Sequence, residues 1–137
     1  MKPLAVIVAI LALASAACSS STGSTNTVSV LASPTTTETF TGTLQVAGTN
    51  THNFTVAASG TVTVTLTQAG PPPTIYVGVG IGTPSAGVCS VISGVQAQAS
   101  STPALAGTAA AGAYCVVVVD LGNLAAPVDY SLTVAHP

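Results

Sequence analysis

Phe54-Thr-Val-Ala-Ala-Ser-Gly-Thr-Val-Thr-Val-Thr-Leu66 is the stretch that decides the fold. Phe54 and Val56 alternate with Thr55 and Ala57, and Ala58-Ser59-Gly60 turns the chain. Val62, Val64 and Leu66 then alternate with Thr61, Thr63, Thr65 and Thr67. A period of two sends one residue type to each side of a pleated ribbon, whereas a helix repeats its apolar positions with a period near 3.6. Threonine on a wet face and valine on a dry one is what a half-buried antiparallel strand prefers.

The same period extends in both directions. Upstream, Phe40, Gly42, Leu44 and Val46 alternate with Thr39, Thr41, Thr43 and Gln45, before an Ala47-Gly48-Thr49-Asn50 turn. Downstream, Gly70-Pro71-Pro72-Pro73 breaks the pattern, because proline cannot donate to a ladder. Ile75, Val77, Val79 and Ile81 then form an inward face. Their alternates Tyr76, Gly78, Gly80 and Gly82 are mostly bare backbone, which predicts a bend, a bulge or a close neighbour. These glycines lack GxGxxG spacing, so they do not form a dinucleotide loop. Val88–Ile92 reads as a short strand and 97–105 as another, while alanine-rich 104–113, interrupted by Gly107 and Gly112, reads as a loop and strand approach. Tyr114–Asp120 contains Cys115-Val-Val-Val-Val119, apolar on both sides and therefore central. Leu121-Gly122-Asn123 turns the chain, and Tyr130, Leu132 and Val134 alternate with Asp129, Ser131 and Thr133. About seven to eight short strands with frequent turn signals and no helical period predict an all-β, antiparallel β-sandwich over residues 38–137. A closed barrel is the alternative.

Ahead of that domain, Met1-Lys2-Pro3 precedes an apolar run from Leu4 to Leu13, the pattern of a secretory signal peptide over residues 1–17. The run is too short to span a bilayer, which takes about 20 residues. Leu13-Ala-Ser-Ala-Ala17-Cys18 resembles a bacterial lipobox, although Ser15 stands where that motif has Leu. The resemblance implies cleavage before Cys18 and its modification with diacylglycerol and an N-acyl group such as palmitate. The competing reading is an ordinary cleavage site at Ala14-Ser15-Ala16 that leaves Cys18 unlipidated. Residues 18–37, rich in Ser and Thr, cannot bury enough apolar surface to offset ordering and read as a flexible tether with a reach of roughly 25 Å. Val28, Val30 and Leu31 offer a short first strand as an alternative. With Cys18 acylated, Cys89 and Cys115 remain as a pair whose disulfide closes a loop worth about 3 kcal/mol in chain entropy. Cys115 shares a parity with Val117 and Val119, which would put that bridge in or beside the core. A disulfide and a secretion leader both indicate an oxidising, extracytoplasmic compartment.

The composition excludes several classes of partner. Lys2 is the single basic residue, so removing the leader takes the formal charge from -2 to -3. Without Lys or Arg there is no basic patch to neutralise phosphates, which excludes nucleic acid, and no polybasic docking on anionic lipid. The expected membrane contact is the acyl group on Cys18, anchoring the chain in the bacterial cell envelope on the extracytoplasmic side, the outer membrane being preferred. Few charges also leave little defence against edge pairing, so weak self-association is expected.

The strand pattern of Phe54–Leu66, then Gly112-Ala-Tyr-Cys-Val-Val-Val-Val-Asp120, then Tyr130-Ser-Leu-Thr-Val134, resembles the bacterial pre-peptidase C-terminal (PPC) domain. The resemblance spans roughly residues 38–135 and implies a jelly-roll-like sandwich with an extracellular, non-catalytic accessory role. Some members bind calcium or extracellular polymers. This chain departs from the family in lacking an Asp-rich middle strand and in having Glu38 as its one acid before Asp120.

Chemistry-bearing residues are few. His52, His136, Asp120, Asp129 and many serines supply the ingredients of a hydrolase triad, yet no Gly-x-Ser-x-Gly elbow is present. His52 reads as a solvated residue beside a turn and His136 as part of a fraying end. Asp120 and Asp129 are the best calcium candidates, flanking one hairpin, but the preferred reading has Asp120 bonding the turn backbone and Asp129 solvated, with no metal. Tyr76 and Tyr114, out of parity with their apolar neighbours, are the candidate glycan platforms. The expectation is therefore a non-enzymatic, cofactor-free lipoprotein with an adhesive or structural β-sandwich; the alternative is an accessory module that binds a glycan or a protein.

Overall fold

The computed structural model describes residues 33, 34 and 36–137. The signal peptide, Cys18, the Val28–Leu31 strand alternative and most of the tether lie outside the described residues. Eight strands follow in order: β1 Thr36–Leu44, β2 Thr49–Val56, β3 Gly60–Gly70, β4 Val77–Ser85, β5 Val88–Ala97, β6 Leu105–Ala109, β7 Gly112–Val119 and β8 Val128–His136. They form two four-stranded antiparallel sheets, β1-β8-β3-β6 (sheet A) and β2-β7-β4-β5 (sheet B). The chain crosses between sheets at every connection except the β4–β5 hairpin, which is the interleaved order of an eight-stranded jelly roll. The β-sandwich expected from the period is thus the observed fold. Among the described residues no helix is long and apolar enough to cross a membrane.

The core lies between the sheets and is built from the predicted dry faces. Val62, Val64 and Leu66 of β3 meet Leu132 and Val134 of β8 and, across the sandwich, Val77, Val79, Val116 and Val118. Leu132 pairs with Phe40 on one side and Leu66 on the other, at the centre of sheet A. A bulge at Thr67, between Leu66 and Gln68, shifts the parity of β3 so that Ala69 also turns inward.

Several local expectations shift. β1 opens at Thr36, ahead of the boundary placed at Glu38. Thr49 and Asn50 belong to β2 instead of the turn, and Val46 is exposed, because the turn tightens to Gln45–Gly48 with Gly48 N–H donating to Gln45 O. β5 runs on to Ala97, residues 98–104 form a loop, and the strand of this region is Leu105–Ala109. That loop still leans on β3, since Ser100 and Ala104 N–H groups donate to Leu66 and Val64 carbonyls.

The largest correction concerns the sulfurs. Cys89 and Cys115 are bonded, with Cα atoms 5.8 Å apart, but on the outer face of sheet B. In β7 it is Tyr114, Val116 and Val118 that face the core, and Cys115, Val117 and Val119 face away. Cys89 reaches that same outer face through a slip in the β4–β5 register. Val77↔Ala97 through Ile81↔Ser93 follow one register, and Gly82↔Val91 through Ser85↔Val88 follow the next, which leaves Ile92 as the extra residue. A one-residue slip sends every later side chain to the opposite face. Cys89 therefore stands outward opposite Pro84, on the same side as Cys115 opposite Gly82.

The glycine series explains how β5 reaches β7 although β4 runs between them. A Cβ on Gly82 would overlap the carbonyl of Ser90, one on Gly78 would run into Val119, and one on Gly80 would lie 3.0 Å from both Val117 and Val91. The start of β5 folds over the bare backbone of β4, and the disulfide straps it there. Of the alternatives expected there, a bulge and close neighbours are both present. At the hairpin tip, Ala86 (φ 49°) and Gly87 (φ 82°) are left-handed, as a two-residue primed turn requires.

Gly82→Ala should therefore lower the unfolding free energy by about 2–3 kcal/mol and reduce disulfide formation. Gly107→Ala, with open space around it, should stay within about 0.5 kcal/mol. Urea denaturation with thiol counting checks both. Ala86→Asn should raise stability by about 0.5 kcal/mol, because asparagine tolerates the left-handed region better than alanine.

Candidate functional site

Five acid and histidine side chains occur in the chain, and the fold scatters them among four places. Asp120 follows β7 and points into the end of the sandwich. Its Oδ2 accepts the Ala47 N–H at 2.7 Å, and its Oδ1 accepts the N–H groups of Gly122, Asn123 and Leu124 at 2.8, 3.1 and 3.2 Å. The Asp120 backbone N–H donates to Gly48 O, so one residue ties the β1–β2 turn to the β7–β8 connection. The Ala47 N–H, then those of Gly122, Leu124 and Asn123, hold the carboxyl below its ordinary value against the opposing effect of burial.

Asp129 does not share a hairpin with Asp120, because β7 lies in sheet B and β8 in sheet A. Asp129 is exposed and accepts the Thr43 hydroxyl at 2.7 Å across the β1–β8 pair. Asp120 bonds the backbone of its own turn, as expected, while Asp129, expected to be only solvated, is exposed and also accepts the Thr43 hydroxyl. Among the described residues no group of three or more His, Cys, Asp or Glu gathers in metal-binding geometry.

Neither histidine behaves as expected. His52 lies within β2, stacks on Phe40 with ring centroids 4.9 Å apart, and shares a 2.6 Å hydrogen bond through Nε2 with the Tyr130 hydroxyl. Burial lowers its pKa, so the neutral ring is favoured there. The Tyr130 ring fits because Gly42 has no side chain: a Cβ there would lie 2.8 Å from the hydroxyl oxygen. Burial raises the Tyr130 pKa, which keeps the phenol protonated. His136 is buried rather than frayed. It ends β8, its Nε2 is 2.9 Å from Glu38 Oε1 and its ring packs on Phe54, while Pro137 O accepts the Ala57 N–H. Penultimate position suggested fraying, but β8 is sandwiched between β1 and β3, which holds its last residues.

The tyrosines divide. Tyr76 is 45% exposed beside a groove of about 390 Å³ lined by Pro71, Pro72, Thr74 and Asn123. The Asn123 amide donates to Tyr76 O at 3.0 Å and steadies this rim. Tyr114 is half-buried, its ring stacked near Phe54 at 5.9 Å, because the parity of β7 is the reverse of that expected from Cys115. It lines an apolar cleft of about 200 Å³ between the edge strands β5 and β6, together with Ile92, Leu105, Ile81 and Val62. The opposite edge, where β1 meets β2, is closed by the Phe40–His52 stack and by Asn50 donating to Thr43 O. The sequence signal for that seal was the polar alternation Asn50, His52 at inward positions.

Asp120→Asn should destabilise the domain at neutral pH. A carboxyl whose folded pKa is depressed contributes above its unfolded value and loses that contribution as pH falls through the folded one. The gap in thermal midpoint between wild type and Asp120→Asn should therefore shrink below about pH 3.8, and calorimetry over acid pH checks it. For His52 the same sign holds: protonation opposes the fold, so wild type should lose stability as pH falls below 6.5 and His52→Gln should flatten that slope. Comparison with family models, curated proteins and solved structures gives no significant match to this chain.

Proposed function

We propose that the chain is a non-catalytic, extracytoplasmic lipoprotein whose β-sandwich serves an adhesive or structural role in the bacterial cell envelope. The observation that carries this reading is where the acids and histidines go. Glu38, His52, Asp120, Asp129 and His136 are each bonded to another part of the fold. They join strands and turns, and they do not converge on a shared opening in the way a nucleophile, base and oxyanion site do. The Cys89–Cys115 strap adds support for an oxidising compartment. Acylation at Cys18, with a tether to the domain, accounts for the leader and for the odd cysteine. The PPC-like pattern fits the same role, and the interleaved sheets are compatible with it.

The intact mass of the protein made in a lipoprotein-processing bacterium tests the anchoring reading. The expected mass corresponds to cleavage before Cys18, addition of diacylglycerol and an acyl chain, and loss of two hydrogens for the disulfide. A mass matching cleavage after Ala16 with an unmodified Cys18 would remove the membrane anchor.

A glycan- or protein-binding role is favoured by one observation, the exposed Tyr76 ring at the rim of the Pro71–Pro72 groove. Aromatic faces of this kind stack on sugar rings. A glycan array should then show binding that falls at least about tenfold in Tyr76→Ala, equivalent to roughly 1.4 kcal/mol, while Tyr114→Phe binds as wild type.

A further inference from the structure

The β5–β6 edge of the sandwich is open where the β1–β2 edge is sealed, and one wall of its cleft is short of side chains. Val62 of β3 faces the cleft from behind, Ile81 and Tyr114 from sheet B, and Leu105 from β6. Gly107 stands directly opposite buried Val62 in the β3–β6 ladder, so a Cβ there would point inward, and it would meet nothing within 4 Å. At the mouth stands Ile92, the extra residue of β5, which at 70% exposure is the most exposed large apolar side chain among the described residues. No charged side chain lines the cleft. β6 is the outermost strand of sheet A, so among the described residues its free backbone edge has no ladder partner.

We infer that residues 27–31, Thr-Val-Ser-Val-Leu, which lie outside the described residues, fill this cleft as a further strand of sheet A beside β6, with Val28 and Val30 inward over Gly107. The first argument is reach. Thr37, Ala135, Thr63 and Ala106 stand in one row across sheet A, so β1 begins level with β6. The free side of β6 lies four strand spacings from Thr37, about 19 Å. The seven residues back to Val30 span about 23–25 Å when extended, which is just enough. The second argument is pattern. Val28 and Val30 alternate with Thr27 and Ser29, the same valine and hydroxyl order that β3 uses to put one face inward and one outward. The third is charge. Residues 18–37 carry no charged side chain, so an uncharged cleft takes them in without stripping water from an ion. The nearer edge, that of β1, has no such space, because Phe40 and His52 already close it. This inference stands independently of acylation at Cys18 and shortens the tether to residues 18–26.

The test is isotope-edited NOE spectroscopy with amide exchange on the full chain, beside a variant carrying Val28→Ser and Val30→Ser. Both substitutions lie ahead of β1, so the core of the domain is left intact. The expected result is NOEs from the Val28 and Val30 methyl groups to Leu105 and Ile92 in the unsubstituted protein. The amides of β6 should exchange at least about tenfold faster in the variant, while those of β8 keep their rates. NOEs to Phe40 or His52, the mark of a hairpin on the β1 edge, would overturn the proposal. So would NOEs to any surface other than the cleft, or none to the domain at all. Equal β6 exchange in the two proteins would also overturn it. Mixing labelled with unlabelled chains separates one more outcome: cleft contacts seen only between molecules would mean a strand from another copy and would overturn seating within one chain.

Discussion

The close approach of Ser90 to the backbone of Gly82 is the contact that organises sheet B. It is possible because β4 carries glycine at each outward position from Gly78 to Gly82, and it is held by a covalent bond between strands that are not neighbours. The extra residue Ile92 supplies the change of parity that turns Cys89 outward. Remove the slip and the cysteine would face the core; fill the glycine and the hairpin would have to lift. Bulge, glycines and disulfide are thus one device, and each makes sense only in the presence of the other two.

That device divides the molecule into a sealed side and an open side. Where β1 meets β2, Phe40, His52, Tyr130 and Asn50 close the gap between sheets with a stack and directed hydrogen bonds. Where β5 meets β6, the sheets part around an apolar cleft. Polar groups that sequence reading weighed as chemistry are consumed on the sealed side and at the turns. The apolar groups that it placed in the core spill onto the outer face of the strapped side.

Parity arguments read most of the fold from the sequence because burial on one face leaves an alternation, and the alternating apolar and polar residues of β1, β3 and β8 show it plainly. They failed for Cys115 and Tyr114 because β7 is apolar on both faces, so alternation carries no sign there. Core packing of Val116 and Val118 decides the matter, and the outer residues are covered instead by the folded-over hairpin. The histidines were misread for a related reason. A lone polar residue near a turn looks solvated unless its partner is known, and the partners here come from distant strands: Tyr130 for His52 and Glu38 for His136. Asp120 was legible, since an aspartate ahead of Leu121-Gly122-Asn123 is placed to accept the amides of its own turn.

The interleaved order has a consequence for when the domain acquires its shape. β8, the last strand, sits between β1 and β3 in the middle of sheet A. Until residues 128–136 are free to insert, β1 has no ladder partner in its sheet and Val64 and Leu66 of β3 lack the neighbours that cover them. Every strand pairing except β4–β5 spans a long sequence separation, which slows assembly and makes sheet A wait for β8. A polypeptide built this way cannot close sheet A until β8 has been delivered to its place between β1 and β3.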